Sequence, residues 1–256
     1  MDLSDFKADA RKHLLRSWSK VIFITLFYFL VIFLINYGVT LLLNESKNIH
    51  IIFVILLFFV INMPSLLWYL FSLQRLYSDE NMKFLSIFHF TIDNLIMSYM
   101  LPLRIVLEML IPIILYIIFI IVGGYISFIL LFALMPNFLF GYLAISIILG
   151  ATLYIMTIKY QLSYIIAFKN PQLTDKEVIE ECKKIMNGNK AKLFYLQISF
   201  IGWIILSAIP IIISKELTIP AFSILSIIEY LFLIPYIYYS MISFYEQLSN
   251  YPDNNL

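Results

Sequence analysis

Long apolar stretches alternate with short polar segments along this chain. Six of the stretches are about as long as a membrane-crossing helix, and the charged residues fall mostly between them. A spanning helix needs about 20 mainly apolar residues to cross about 30 Å of hydrocarbon. The pattern therefore predicts transmembrane helices. Their six expected ranges are 21–43, 51–71, 104–122, 141–168, 193–213 and 220–245.

The composition agrees with this pattern. Of the 256 residues, 62% are hydrophobic and only 13% are charged, whereas a soluble domain is about half apolar and about a quarter charged. The predicted spans leave few residues for a separate soluble domain. We therefore expect an all-α polytopic membrane protein in which residues 1–256 form a single membrane domain.

The distribution of lysine and arginine predicts the orientation. Cytoplasmic loops of membrane proteins carry an excess of these residues near the ends of the spans. With six spans, thirteen of them fall on one side and only Lys47 and Lys215 fall on the other. We therefore expect a multi-pass protein of the cell membrane with both termini in the cytoplasm. The thirteen are Lys7, Arg11, Lys12, Arg16, Lys20, Arg75, Lys83, Lys169, Lys176, Lys183, Lys184, Lys190 and Lys192.

The region 124–140 can be interpreted in more than one way. The Gly123-Gly124 pair and the Met135-Pro136-Asn137 sequence are expected to interrupt a helix. We interpret residues 125–134 as an interfacial or re-entrant piece on the outer side. A seventh full span is the alternative, and it would place the lysine-rich loop outside the cell.

The N-terminal segment 2–19 has the pattern of an amphipathic helix. Its apolar residues recur at helical spacing, and its basic residues lie elsewhere around the helix. This design is typical of a helix that lies in the membrane interface with its basic side toward anionic lipid; a plain topology anchor is the alternative. The apolar residues are Leu3, Phe6, Ala10, Leu14 and Trp18. The expected contacts with lipid headgroups are Lys7, Arg11, Lys12 and Arg16.

A second cytoplasmic helix is predicted over residues 174–187. Thr174 and Glu177 have the spacing of a capping box. Gly188 suits the position directly after a helix, where the backbone often turns left-handed. Val178, Cys182 and Ile185 share one face, which can pack on the membrane or on the bundle.

Ionisable residues inside the predicted spans are candidates for function, since a charge there costs about 2.5–3.5 kcal/mol on insertion scales. Arg104 and Glu108 are four residues apart, so they share a helix face and can form an ion pair. Lys159 and Glu229 each lie about 14 Å from opposite ends of their spans, so both approach the midplane of the bilayer. We expect an ion pair there between spans four and six; the alternatives are a proton or substrate site, or a Lys159 side chain that reaches a water-filled cytoplasmic cavity.

Motifs of known catalytic or cofactor chemistry are absent from the sequence. It contains no Walker loop, no GxGxxG after a strand, no HExxH and no GxSxG. His13, His50 and His89 are scattered and predict no metal site, and the single cysteine, Cys182, allows no intrachain disulfide. We expect no enzyme activity, no cofactor and no nucleic-acid partner.

Five short motifs stand out in the second half of the chain. They are Tyr160-Gln161-Leu162-Ser163-Tyr164, Lys169-Asn170-Pro171, Met186-Asn187-Gly188-Asn189-Lys190, Ser199-Phe200-Ile201-Gly202-Trp203 and Phe244-Tyr245-Glu246-Gln247-Leu248. With these motifs the chain resembles the bacterial integral-membrane family known as domain of unknown function 975. The resemblance covers roughly the last hundred residues well and the N-terminus more loosely, whereas residues 93–158 depart from the family pattern. It implies a bacterial multi-span membrane protein and supplies no activity.

Two hypotheses about function follow from the sequence. The first is a non-catalytic accessory factor that binds the lipid bilayer, through anionic headgroups, or another membrane protein. The second is a small transporter or permease subunit with a midplane site at Lys159 and Glu229. A transporter needs a water-accessible cavity that joins these residues to one face of the membrane, whereas an accessory factor needs only a dry, paired core.

Overall fold

The computed structural model describes residues 3–45, 51–89, 91–134, 150–152, 154–217 and 221–250. Within these ranges the secondary structure is helical and no strand occurs, which confirms the all-α class. Four helices are long: α1 (Leu3–Glu45), α2 (Ile51–Ser78), α4 (Ile92–Leu134) and α9 (Ala221–Asn250). The shorter ones are α3 (Phe84–Ile87), a 3-10 turn (Ile158–Tyr160), α5 (Ser163–Lys169), α6 (Asp175–Met186), α7 (Lys190–Ile198) and α8 (Ile201–Leu217).

Two stretches of the described residues, Ser4–Leu41 and Lys190–Pro210, are long and apolar enough to cross a membrane. Both carry large apolar side chains on their surface. Phe33 of α1 is 63% exposed, and Trp203 of α8 is 61% exposed. Exposed apolar surface of this extent marks a region that contacts lipid or another apolar surface.

The best-packed part of the molecule lies at one end. The buried core draws on the first turns of α1, the last turns of α2 and α9, the start of α4, and α5 to α7. The thirteen basic residues that the sequence assigns to one side all belong to these segments. We call this part the basic end. It comprises residues 3–24, 67–89, 91–109, 158–200 and 236–250.

The N-terminal segment is not a separate interfacial helix. It forms the first turns of α1, which is 43 residues long. Phe6, Ala10 and Leu14 are at most 3% exposed, and the Phe6 ring lies 5.2 Å from the ring of Phe244 in α9. The face that was expected to contact lipid therefore packs against protein. The reason is that α9 supplies an apolar surface in the same position, which a pattern in one segment cannot reveal.

Helix α4 continues through the break that was predicted at Gly123-Gly124. It runs without interruption to Leu134, so residues 125–134 are part of the same 43-residue helix as the predicted span 104–122. Glycine lowers helix propensity by about 1 kcal/mol, but it keeps its backbone N–H and the hydrogen bond that this group makes. A glycine pair therefore weakens a helix without ending it. Residues 135–140 lie outside the described residues.

The predicted span 141–168 is not one helix. Helical turns up to Thr157 pass into the 3-10 turn, and α5 then begins at Ser163. The Leu162 carbonyl accepts hydrogen bonds from the N–H groups of Ile165 and Ile166, both at 3.0 Å, which starts the new helix. The predicted span 193–213 is interrupted in the same way at Ser199-Phe200, between α7 and α8. Residues 141–149, 153 and 220 lie outside the described residues.

A buried glutamine connects three helices at the basic end. Gln74 of α2 is completely buried. Its amide nitrogen donates to the Ile165 carbonyl of α5 at 3.0 Å, and its amide oxygen accepts from the Tyr238 hydroxyl of α9 at 3.3 Å. A buried polar group without partners would cost about 1–3 kcal/mol. This arrangement satisfies both ends of the amide and therefore specifies how α2, α5 and α9 meet.

The predicted capping box at Thr174 and Glu177 is present at the start of α6. The Thr174 N–H donates to the Glu177 carboxylate at 2.8 Å, and the Glu177 N–H donates to the Thr174 hydroxyl at 3.4 Å. Gly188 follows α6 with a φ of +79°, as glycine permits. Val178, Ile179, Cys182 and Met186 are fully buried, so this helix packs on the bundle.

The capping box makes the start of α6 sensitive to acid. The hydrogen bonds from Thr174 hold the pKa of the Glu177 carboxyl below its usual value. A carboxyl group whose pKa is lowered by folding stabilises the folded state above its unfolded pKa. That contribution is lost as the pH falls through the folded pKa.

The Thr174→Ala variant is predicted to loosen the first turn of α6. Loss of a threonine N-cap costs about 1 kcal/mol of helix stability, so hydrogen exchange in this turn should be faster than in the unmodified protein at neutral pH. The difference should shrink in acid. Hydrogen-exchange mass spectrometry measures both effects. The Lys176→Ala variant keeps the capping box and is the control; identical exchange in the two variants would contradict this role of Thr174.

Candidate functional site

A groove with a volume of about 610 Å³ lies between α1, α8 and α9. This volume falls in the range of roughly 300–1,000 Å³ that is typical of ligand sites. Most of the lining is apolar, with two cations and one acid. The lining residues are Lys7, Arg11, Leu14, Leu15, Trp18, Trp203, Leu206, Glu229, Phe232, Leu233 and Tyr236.

Each wall of the groove is formed by the side chains on one face of a helix. Side chains three or four residues apart lie on the same helix face. The α1 wall follows this spacing from Lys7 through Arg11 to Trp18, and the α9 wall follows it from Glu229 to Tyr236. At 1.5 Å per residue, the stripe from Lys7 to Trp18 is about 16 Å long.

The two cations lie at the end of the groove that is near Ser199 and Phe200. Lys7 Nζ is 4.5 Å from the centre of the Phe200 ring and donates to the Ser199 carbonyl at 3.4 Å. Burial lowers the pKa of Lys7. Arg11 is exposed. Among the described residues, neither cation has a carboxylate within 4.0 Å, so both charges are available to an anion.

The opposite end of the groove is closed by aromatic rings and contains one acid. The Trp18 ring packs edge-to-face on Phe232, with 4.8 Å between the ring centres. Glu229 is half-buried, and one of its carboxyl oxygens is shielded from solvent and has no hydrogen-bond partner among the described residues. The groove therefore has a cationic mouth, mostly apolar walls and one carboxylate at its far end.

The other basic residues of α1 point away from the groove. Arg16 pairs with Glu80 at 3.5 Å, and Lys20 donates to the Glu80 carbonyl at 2.8 Å. His13 Nδ1 also lies 3.1 Å from the Glu80 carboxylate, and the His13 ring stacks on Tyr77 at 4.3 Å. Lys12 is exposed. Of the four predicted headgroup contacts, only Lys7 and Arg11 line the groove, while Arg16 fastens α1 to the segment after α2.

Arg104 and Glu108 both face α6. The Glu108 carboxylate accepts a hydrogen bond from Lys183 Nζ and lies 3.5 Å from the Tyr160 hydroxyl. Burial raises the pKa of Asp175, and the nearby positive charge of Arg104 opposes this effect. The ion pairs among the described residues join Glu108 to Lys183 and not to Arg104. The two residues of the expected pair therefore each have an opposite charge nearby on another helix.

Lys159 and Glu229 lie in different places. Lys159 belongs to the 3-10 turn at the basic end, where its carbonyl accepts from Cys182 Sγ at 3.2 Å and its Nζ lies 4.9 Å from the centre of the Tyr160 ring. Glu229 lines the groove on α9. No ion pair connects them among the described residues, and Lys159 does not line the groove.

Sequence reasoning missed the groove because its three walls come from distant parts of the chain. The stripes Lys7–Arg11–Trp18 and Glu229–Phe232–Tyr236 were visible as spacings, but nothing in the sequence showed that they face each other. In the described part of the chain, no group of three or more His, Cys, Asp or Glu side chains could hold a metal ion.

Comparison with known proteins shows the family. The family described as "Protein of unknown function (DUF975)" matches residues 1–251, nearly the whole chain, and the protein belongs to this family. The resemblance seen in the sequence is thereby confirmed. A search of curated proteins gave no match, and a search of solved structures gave none.

A double-mutant cycle is predicted to show coupling between Glu108 and Lys183. The variants Glu108→Gln and Lys183→Gln should lose stability non-additively, with a coupling of about 0.5–1 kcal/mol for a partly exposed ion pair. Detergent-induced unfolding of each single and double variant measures this coupling. The cycle of Glu108→Gln with Arg104→Gln is the control and should be additive. Coupling confined to the Arg104 cycle would contradict the contact geometry described above.

Proposed function

We propose that this protein is a non-catalytic accessory factor of the cell membrane that crosses the bilayer six times and binds anionic lipid headgroups at its basic end. The observation that carries the proposal is the groove, whose unpaired cations Lys7 and Arg11 adjoin apolar walls that include Trp203. Basic side chains next to apolar and aromatic ones match the boundary between headgroups and hydrocarbon.

The proposed topology places the basic end in the cytoplasm together with both termini. Support comes from the thirteen lysine and arginine residues, which all belong to its segments. The fourth span would end near Thr157 and not at Phe168, because the 3-10 turn and α5 pack with α6 and α2. Lys159 then lies at the cytoplasmic end of its span, where an unpaired lysine is inexpensive.

Two other roles remain as alternatives. A membrane-protein partner could contact the exposed apolar side chains of α8, such as Ile205 and Trp203. A small transporter or permease subunit was expected to use Lys159 and Glu229 together. The groove supports that role less well because Glu229 lines it and Lys159 does not.

The lipid proposal predicts a preference for anionic lipid that weakens with salt. In nanodiscs with equal amounts of the two lipids, brominated phosphatidylglycerol should quench the protein's tryptophan fluorescence more than brominated phosphatidylcholine does. Raising the ionic strength from 0.1 M to 1 M shortens the Debye length from about 10 Å to about 3 Å, so the difference should shrink. Equal quenching by both lipids at low salt would refute the proposal.

The transporter alternative is tested by solvent access to position 229. In a Cys182→Ser background, a single cysteine at position 229 should resist a membrane-impermeant thiol reagent in intact membranes. A cysteine at position 215 is the control, and it should react from the outer side. Rapid labelling at position 229 would reveal an aqueous path into the bilayer and would favour the transporter.

A further inference from the structure

We infer that the groove between α1, α8 and α9 is a binding site for one anionic phospholipid molecule. The phosphate lies between Lys7 and Arg11, and one acyl chain lies along Leu14, Trp203 and Leu233. This inference rests on the proposed function and deepens it, because it assigns the general attraction to anionic lipid to one defined binding site.

Charge complementarity identifies the headgroup. Arg16 pairs with Glu80, and Lys20 donates to two backbone carbonyls. Lys7 donates to one carbonyl, that of Ser199, which leaves two of its three ammonium hydrogens for a ligand. Neither Lys7 nor Arg11, which lie one helical turn apart, has a carboxylate partner among the described residues. The guanidinium group of arginine and the ammonium group of lysine are the usual donors to phosphate oxygens. A phosphate at the mouth of the groove would therefore meet both.

The length and the lining of the groove suit the apolar part of the ligand. The α1 wall extends about 16 Å from Lys7 to Trp18, and its far end lies next to residue 21, where the first predicted span begins. An acyl chain that starts at a headgroup near Lys7 would end close to the Trp18–Phe232 contact. The walls that it would follow are apolar, as Leu14, Trp203 and Leu233 line them.

Glu229 limits how far into the groove the acyl chain of a lipid makes favourable contacts. Its unpartnered carboxyl oxygen lies at the far end of the groove. An acyl chain has no hydrogen-bond donor for this oxygen, so its favourable contacts lie on the mouth side of Glu229. A Glu229→Leu substitution would extend the apolar wall and should strengthen the contact with the chain.

The test uses the two tryptophans of the groove as reporters. The chain has three tryptophans, and a Trp68→Phe background leaves only Trp18 and Trp203, both of which line the groove. In nanodiscs, quenching by brominated phosphatidylglycerol is compared with quenching by brominated phosphatidylcholine. The Lys7→Gln/Arg11→Gln double variant should lower the preference for the anionic lipid by roughly tenfold. The Glu229→Leu variant should increase quenching by both brominated lipids, because it strengthens the contact with the acyl chain that the two lipids share.

The matched control removes the same charge elsewhere at the basic end. Lys12 and Lys192 are exposed and do not line the groove, so Lys12→Gln/Lys192→Gln should change the preference little. A Lys7→Arg/Arg11→Lys variant keeps both charges and should retain the preference. An unchanged circular dichroism spectrum and thermal unfolding of the Lys7→Gln/Arg11→Gln variant exclude misfolding as the cause of its loss. If Lys7→Gln/Arg11→Gln and Lys12→Gln/Lys192→Gln lower the preference for the anionic lipid equally, the proposed site is wrong, but the proposed function still holds. An unmodified protein with no anionic preference would overturn both.

Discussion

The docking of the first turns of α1 on the last turns of α9 is the contact on which the rest of the structure depends. Phe6, Ala10 and Leu14 are buried there, and the Phe6 ring packs edge-on against Phe244. Burial of a large apolar side chain contributes about 1.5–3 kcal/mol. Both helices continue well beyond this contact. The contact therefore fixes how α1 and α9 are aligned with each other along their whole length. The groove exists because this contact holds Lys7 opposite Tyr236.

The basic end combines this apolar packing with polar contacts that specify how its helices meet. Gln74 uses both ends of its amide to join α2 to α5 and α9. Glu108 accepts from Lys183 and so joins α4 to α6, while Lys169 donates to Glu246 and joins α5 to α9. Apolar surfaces alone permit sliding of one helix over another. Hydrogen bonds have directions, so they select one register.

Expectations for single segments were reliable where the signal was local. The capping box at Thr174 and Glu177 depends on four consecutive residues, and the structure contains it. The long helix that begins at Ile51 follows from an apolar run. Boundaries inside apolar runs were less reliable. Gly123-Gly124 did not end α4, whereas Gln161 and Ser199 mark interruptions that hydropathy alone could not locate. Those interruptions arise where other helices provide partners for the freed backbone groups.

The sequence by itself determined the all-α class, the family and the capping of α6, because composition, motifs and nearest-neighbour spacing are properties of short stretches of chain. Only the tertiary structure decided the partners of each charged side chain. Glu108 pairs with Lys183 across 75 positions, and the two ends of the chain bring Lys7 and Glu229 into one groove. Pairing between distant segments depends on how helices pack, and packing is set by many weak contacts that no single segment contains.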